Sequence, residues 1–372
     1  MSIKGHATAE GTKAYRSRFE GELRDSHFRE SLGILFSSIG LGSYLGEPDD
    51  ATDRLYEEAA AEALDSGINV LDTAANYRCQ RSERSFGRVL RAKIEEGSLK
   101  REEVILCTKG GYFPFDGGYP KDPRAYVQKT FIDTGLLKPE DIAQDCHGMT
   151  PAYLENQLNQ SLANLGVETI DVYYLHNPET QLAAVPFLEF KKRMQAALGW
   201  LEEKVKEGKI RWYGTATWGG YRAAATTRQY LNLQELQVLG REAGGMENHF
   251  KVVQLPFNFA MPEAWILPNQ RLGPTEVSLL NSASRTGMTV IASASLLQAK
   301  LLTSLPDFLG RHFQGLETPA QRCLQFVRSV PGITTALVGM KSAAHVRENL
   351  EVARVEPLSE DQLIVMFSSA PQ

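Results

Sequence analysis

The chain is short of cysteine, of long apolar runs and of positive charge, and each shortage removes a class of protein. Four cysteines in 372 residues, Cys79, Cys107, Cys146 and Cys323, stand far apart with no paired spacing. That excludes a disulfide framework and a cysteine metal site, and suits a reducing cytoplasm. No segment approaches the ~20 apolar residues of a membrane helix, and residues 1–21 are polar and charged. A net charge of −5 and a pI near 5.9 leave no basic footprint for nucleic acid or an anionic membrane. Internal repeats, low-complexity tracts and domain linkers are missing as well. No His-x-His pair or carboxylate cluster marks a metal-dependent hydrolase. A soluble, cytoplasmic, single-domain protein remains, 42% hydrophobic and 23% charged. Its oligomeric state is left open.

What is present is a regular alternation. Short apolar strands near residues 35, 68, 104, 170, 210, 252, 289 and 334 are separated by helical stretches such as 50–66, 82–97, 150–165 and 191–207. Eight such units predict an α/β fold of the (β/α)8 barrel type, with a doubly wound sheet as the alternative. A polar arm over residues 1–30 precedes the barrel of residues 31–372, and the first barrel strand is expected across residues 32–42. Gly40-Leu-Gly42 invites a dinucleotide-loop reading, but no third glycine and no acidic strand end accompany it. Lys191-Lys192-Arg193 lies in a helical stretch and reads as a solvated face.

One interval is too long for a connection. An insertion over about residues 110–149, after the third strand, carries Tyr112, Phe113, Phe115 and Tyr119. It reads as a substrate-facing lid, with a passive surface excursion as the alternative. Cys146-His147 within it reads as a packed loop pair, because sequence neighbours rarely face each other as nucleophile and base.

Three successive strands end in Asp72, Lys109 and His176, and Tyr77 follows the first after a short loop. Asp72 shares strand parity with Ile68 and Val70, Lys109 with Ile105 and Cys107, and His176 with Ile170, Val172 and Tyr174. Singly, each has a plainer reading: a helix cap for Asp72, a snorkelling surface lysine, a hydrogen-bonded strand-end histidine. Together they suit proton donation to a carbonyl oxygen as hydride reaches the carbon. A phenol near pKa 10 is a poor acid, and a neighbouring ammonium is expected to lower its pKa while a carboxylate keeps that ammonium charged. Tyr77 is then the general acid, and His176 orients the carbonyl.

Leu71-Asp-Thr-Ala74, Tyr77, Ser82-Glu83 and Gly87 stand as in the aldo-keto reductase family, which the chain resembles from about residue 30 to 355. The resemblance implies NADPH-linked reduction of a small-molecule carbonyl, or oxidation of an alcohol in reverse, with Asp72, Tyr77, Lys109 and His176 as catalytic residues. It implies an extended NADP, with NAD also possible, held by Gly42, Ser43, Asp72, Thr217, Gln254, Ser293, Leu296, Gly339, Lys341, Ser342, His345, Glu348 and Asn349. Tyr44, Tyr112, Phe113 and Trp218 are expected to shape the substrate pocket. The chain departs from the family pattern in three places. Ala216-Thr217 replaces a Ser-Asn, Ser293 replaces the ring that stacks on the nicotinamide, and His345 replaces an arginine, with Lys341 available to compensate. Ser342 reads equally well as an ordinary helix cap. A nucleotide-binding regulatory barrel with negligible turnover is the alternative function.

Overall fold

The strands are rich in Val, Ile and Leu on both faces, the composition of a parallel sheet covered on each side. The computed structural model describes residues 2–368. Within them, β3 (Ile39–Gly42), β4 (Val70–Asp72), β5 (Ile105–Gly110), β6 (Ile170–His176), β7 (Ile210–Ala216), β8 (Phe250–Pro256), β11 (Thr289–Ser293) and β12 (Thr335–Gly339) form a closed parallel barrel. Going round, the order is β11-β12-β3-β4-β5-β6-β7-β8, and β8 pairs with β11 to complete it. Two antiparallel hairpins lie outside the ring, β1 (Phe28–Ser31) with β2 (Ile34–Ser37), and β9 (Gln270–Leu272) with β10 (Thr275–Val277). The protein is thus a (β/α)8 barrel, a single domain with a long insertion after the third barrel strand.

Local chemistry sets the helices on schedule. Asp49 accepts from the Thr52 amide to cap the helix Asp50–Asp65, and Thr150 with Pro151 opens Pro151–Leu165, which Gly166 closes in the left-handed conformation. The helices Arg81–Glu95 and Phe187–Lys206 occupy the other two expected stretches.

The first barrel strand is shorter than the expected 32–42. Leu32 and Gly33 adopt positive φ, 55° and 75°, and make a two-residue hairpin turn that folds residues 28–37 back on themselves. Asn69 stabilises the break: its Oδ1 accepts from the Ser37 amide at 2.8 Å and its Nδ2 donates to the Leu35 carbonyl at 2.8 Å. Ile34 and Phe36 join Val70, Ile105, Cys107, Val172, Tyr174 and Ile291 in one buried cluster, so the hairpin plugs the barrel floor. Leu71, Leu106, Tyr173 and Leu175 belong to the larger core beneath the helices. The expected parity holds for Val70, Ile105, Cys107, Val172 and Tyr174, which share the inner cluster. Ile68, which precedes β4, and Ile170, the first residue of β6 and paired with Ile210, are the exceptions and pack with the helix-side core.

The polar arm is part of this floor. The Ala7 amide donates to Asp171 Oδ1 at 2.7 Å, Arg101 holds the other carboxylate oxygen at 2.7 Å, and the Tyr15 hydroxyl donates to the Leu64 carbonyl at 2.7 Å. The insertion likewise has its own small core, Phe113, Phe131, Leu137 and Tyr153, with Phe113 and Phe131 stacked at 5.3 Å. Its ends are clasped by bonds from the Phe113 amide to the Cys146 carbonyl, 2.9 Å, and from the Gly148 amide to the Gly111 carbonyl, 3.0 Å. Arg193, expected on a solvated face, reaches the insertion and donates to the Glu140 carbonyl at 2.8 Å. Among the described residues, no helix is long and apolar enough to cross a membrane and no cluster of His, Cys, Asp and Glu could hold a metal.

Candidate active site

In a barrel of this type, reactive side chains gather where the strands end. Register fixes which strand ends meet here: Gly42 lies opposite Asp72, Lys109 opposite Tyr174, His176 opposite Ala216, and Ala216 opposite Gln254. Asp72 and Lys109 are buried, 3% and 1% exposed, an arrangement tolerated only with charge pairing. The Lys109 ammonium donates to Asp72 Oδ1 and, at 2.8 Å, to the Thr73 carbonyl. Gln254 Nε2 donates to the other Asp72 oxygen at 2.8 Å. The turn that follows, closed by the Tyr77 amide on the Ala74 carbonyl at 3.0 Å, returns Tyr77 over this pair. Its ring centre lies 4.8 Å from the Lys109 nitrogen, and its ring meets those of Tyr44 and His176 edge-on at 5.0 and 5.8 Å.

Ionisation follows from burial and neighbours. Burial pushes the Asp72 carboxyl up, while Lys109 and Gln254 pull it back toward the charged form. Burial would depress Lys109, yet Asp72 and then Tyr77 outweigh it and hold the ammonium above its ordinary value. Burial pushes the Tyr77 phenol up; Lys109 opposes this and Asp72 adds to it. The net shift of Tyr77 is therefore upward, opposite to the sequence expectation, because desolvation outweighs the ammonium. Burial, then Lys109 and His147, drive His176 well below its ordinary value, so its imidazole is neutral.

A cavity of about 560 Å³ opens over these groups. Of the residues expected around a cofactor, Gly42, Ser43, Asp72, Thr217, Gln254, Ser293, Leu296 and Gly339 line it. Lys341, Ser342, His345, Glu348 and Asn349 do not line it; they sit at and along the helix Ala343–Leu350. Ser342 caps that helix through the His345 amide at 3.2 Å, as its plainer reading predicts, and Lys341 and His345 are exposed. Tyr44, Tyr112 and Trp218 line the cavity wall. Phe113 does not, since its ring belongs to the core of the insertion. Among the insertion's aromatics only Tyr112 reaches the cavity, and Tyr119 is 70% exposed, so the insertion stands beside the site and does not cover it.

Several residues at the site had not been singled out in the sequence. Asn76 and Asn177 line the cavity, each adjacent in sequence to a residue that had been singled out. Glu179 is buried and accepts from the amides of Trp218, Gly219 and Gly220 at 2.8, 3.0 and 3.2 Å, which holds the loop carrying Trp218. After β11, Ala294, Leu297, Gln298 and Ala299 all take positive φ, 47–66°, a costly conformation for residues with a Cβ. This strained loop forms one wall.

The donor set suits an extended dinucleotide on this side. Thr217 Oγ1 and, outside the cavity, Asn349 Oδ1 are buried with no protein partner. Gly42 and Gly339 pair across β3 and β12, and a Cβ on either would meet nothing closer than 3.8 Å, so bare backbone widens the wall there. Ser293 gives that wall a small hydroxyl side chain where a ring would offer a stacking face.

The profile of the Aldo/keto reductase family matches residues 38–238. An uncharacterized oxidoreductase of Bacillus subtilis (strain 168), YqkF, is 22% identical over 90% of this chain and 93% of its own. A putative voltage-gated potassium channel subunit beta of Schizosaccharomyces pombe is 21% identical over 86% and 85%. Among solved structures, an aldo/keto reductase from Klebsiella pneumoniae in complex with NADP and acetate aligns with a TM-score of 0.62 at 21% identity, covering 94% of this chain and 97% of that one. The glycerol dehydrogenase of Gluconobacter oxydans aligns with a TM-score of 0.63 at 18% identity, covering 93% and 95%.

Proposed function

The chain belongs to the aldo/keto reductase family, and from that membership we propose that it is an NADPH-dependent oxidoreductase reducing an aldehyde or ketone to an alcohol, or running the reverse. The observation that carries this reading is the buried Lys109, bonded to Asp72 and 4.8 Å from the Tyr77 ring centre, behind a cavity that Asp72, Tyr77 and the neutral His176 line. NADPH held in this cavity would supply the hydride for the carbonyl carbon. Tyr77 gives the proton: its O–H bond breaks, the new O–H bond forms on the substrate, and solvent later restores the phenol. Its raised pKa keeps the proton on the phenol at neutral pH, and Lys109 stabilises the phenolate as the proton leaves. His176 orients the carbonyl oxygen without adding a charge.

The residues toward the cofactor fit this role. Thr217 and Gln254, on the cavity wall, would hold the carboxamide, and Asn349, whose buried carbonyl oxygen has no protein partner, would hold the adenine. The exposed Lys341 would supply the cation that a 2′-phosphate requires, with the exposed His345 offering a ring N–H beside it and NADH also accepted. Among the described residues that line the cavity, Asp72 is the only Asp, Glu, Lys or Arg, and it is paired with Lys109, which favours an uncharged substrate. Among the described residues, 31–368 would make up the catalytic barrel and 2–30 an arm docked beneath it. Four free cysteines suit a reducing cytoplasm.

Replacing Tyr77 with phenylalanine tests the mechanism. Turnover of a carbonyl panel is expected to fall by about 10²–10⁴, with NADPH binding, read by quenching of its fluorescence, preserved. A Tyr77→Phe protein as fast as wild type would remove Tyr77 from the mechanism. Ser293, which presents no ring to the nicotinamide, favours one other reading, a regulatory barrel that binds nucleotide without turning it over. Tight NADPH binding with no turnover on any aldehyde, ketone or alcohol is the result that selects it.

A further inference from the structure

We propose that His147, at the end of the insertion, is a positioning residue that fixes the backbone of His176 and through it the imidazole at the reacting oxygen. The inference rests on the role given to His176 above and adds a purpose for the insertion. β6 stops at His176, and its pairing with β5 ends one residue earlier, at Gly110 and Leu175. Asn177 then turns into the left-handed region at φ 48°. The His176 carbonyl at this corner takes its bond from a side chain: His147 Nε2–H donates to it at 2.7 Å.

His147 is itself held on every side. It is 1% exposed, and Gln181 Nε2 donates to its Nδ1 at 2.9 Å, which leaves the ring proton on Nε2, facing the His176 carbonyl. Gln181 Oε1 in turn accepts from Arg193 at 2.7 Å, and Arg193 reaches the Glu140 carbonyl in the insertion. Tyr112, bridged to His147 across the neck of the insertion, sets its ring edge-on against both imidazoles, at 5.2 and 5.0 Å. Gly111 makes the approach possible. It has φ 142°, and a Cβ there would sit 2.6 Å from His147 Nε2 and 3.0 Å from the His176 carbonyl oxygen. The neck is therefore shaped around this one bond, and the neutral His147, whose pKa burial lowers to about 4, keeps it across the physiological range.

A plain loop anchor would hold the insertion down without touching the His176 ring, and the test separates the two. His147→Phe keeps the volume and removes the donor; His147→Gln keeps a donor at the same reach. In the Phe protein kcat is expected to fall about ten- to hundredfold with the NADPH dissociation constant unchanged, and the His176 ring signals in 1H–13C spectra are expected to move. In the Gln protein kcat recovers to within about threefold of wild type and the signals return. Wild-type kcat and unmoved His176 signals in the Phe protein would overturn the proposal. If circular dichroism shows that the Phe protein has not folded, Gln181→Met is the deciding variant. Lowered kcat and shifted His176 signals support the proposal, and their absence overturns it. Should the wild type reduce no carbonyl at all, the oxidoreductase reading fails by itself, and the spectra still decide whether His147 sets the His176 ring.

Discussion

A single buried ammonium organises the site at the residue scale. Lys109→Met would strand Asp72 in the barrel with only Gln254 for company, and removing one partner of such a pair costs about 3–5 kcal/mol. Urea unfolding should show that loss, and Asp72→Asn with Lys109→Met should recover much of it, because the double variant buries no lone charge. Equal destabilisation by the single and double variants would mean the pair is not coupled. The pH dependence has a definite sign. Lys109 has a folded pKa above its unfolded value of about 10.4, so its contribution is complete below that pH and is lost as pH rises through the folded value. Neutral-range stability should not register it, whereas wild type should lose more than the double variant above about pH 10. Asp72, Lys109 and His176 were legible in the sequence because strand parity assigns a face without knowledge of the fold. Phe113 was not, because a loop aromatic carries no parity and its partners Phe131 and Tyr153 are distant in sequence.

Among the elements, the least legible was the hairpin of β1 and β2. The segment Ile34-Leu-Phe-Ser-Ser-Ile-Gly-Leu-Gly42 reads as one strand, and the break depends on Asn69, over thirty residues away, which accepts from the Ser37 amide and donates to the Leu35 carbonyl. The insertion was legible as an interruption but not as a folded unit, since its core is assembled from four scattered rings and side chains. The hairpin junction also contains a titratable lock. His27 is fully buried, donates from Nε2 to the Gly67 carbonyl at 3.0 Å and accepts at Nδ1 from Ser38 at 2.9 Å. Burial first, then Arg328, lowers its pKa to about 3. The unfolded chain takes up this proton near pH 6.5 while the folded chain resists it, so stability is complete above that value and falls as pH drops toward 3. By pH 4.5 the loss from His27 alone is about 3 kcal/mol. Urea midpoints at pH 7 and 4.5 should separate more for wild type than for His27→Gln, which keeps the donor and cannot titrate. Equal separations would place the acid sensitivity elsewhere, His147 being the next group to examine.

For the whole molecule, the alternation of strands and helices was enough to give the barrel, because eight parallel strands with covering helices close in few ways. The cofactor side was less legible, since residues on the helix Ala343–Leu350 reach it only through the register of the last strand. A nucleotide that spans from Gln254 to Asn349 would tie together β7, β8, β11, β12 and that helix, elements drawn from the second half of the chain. Binding to the folded state alone stabilises by about 2.7 kcal/mol at a hundred times the dissociation constant. The entropy of unfolding for a chain of 372 residues then converts this to a rise of about 3 °C in Tm. NADPH should produce the larger shift and NADH a smaller one, and Lys341→Ala should narrow the gap between them by weakening NADPH alone. This readout needs no substrate and no turnover, so it holds for an enzyme and for a regulatory barrel alike. A Tm unmoved by millimolar NADPH and NADH would mean that the cavity over Asp72 and Gln254 is not a nucleotide site, whatever the four residues beneath it resemble.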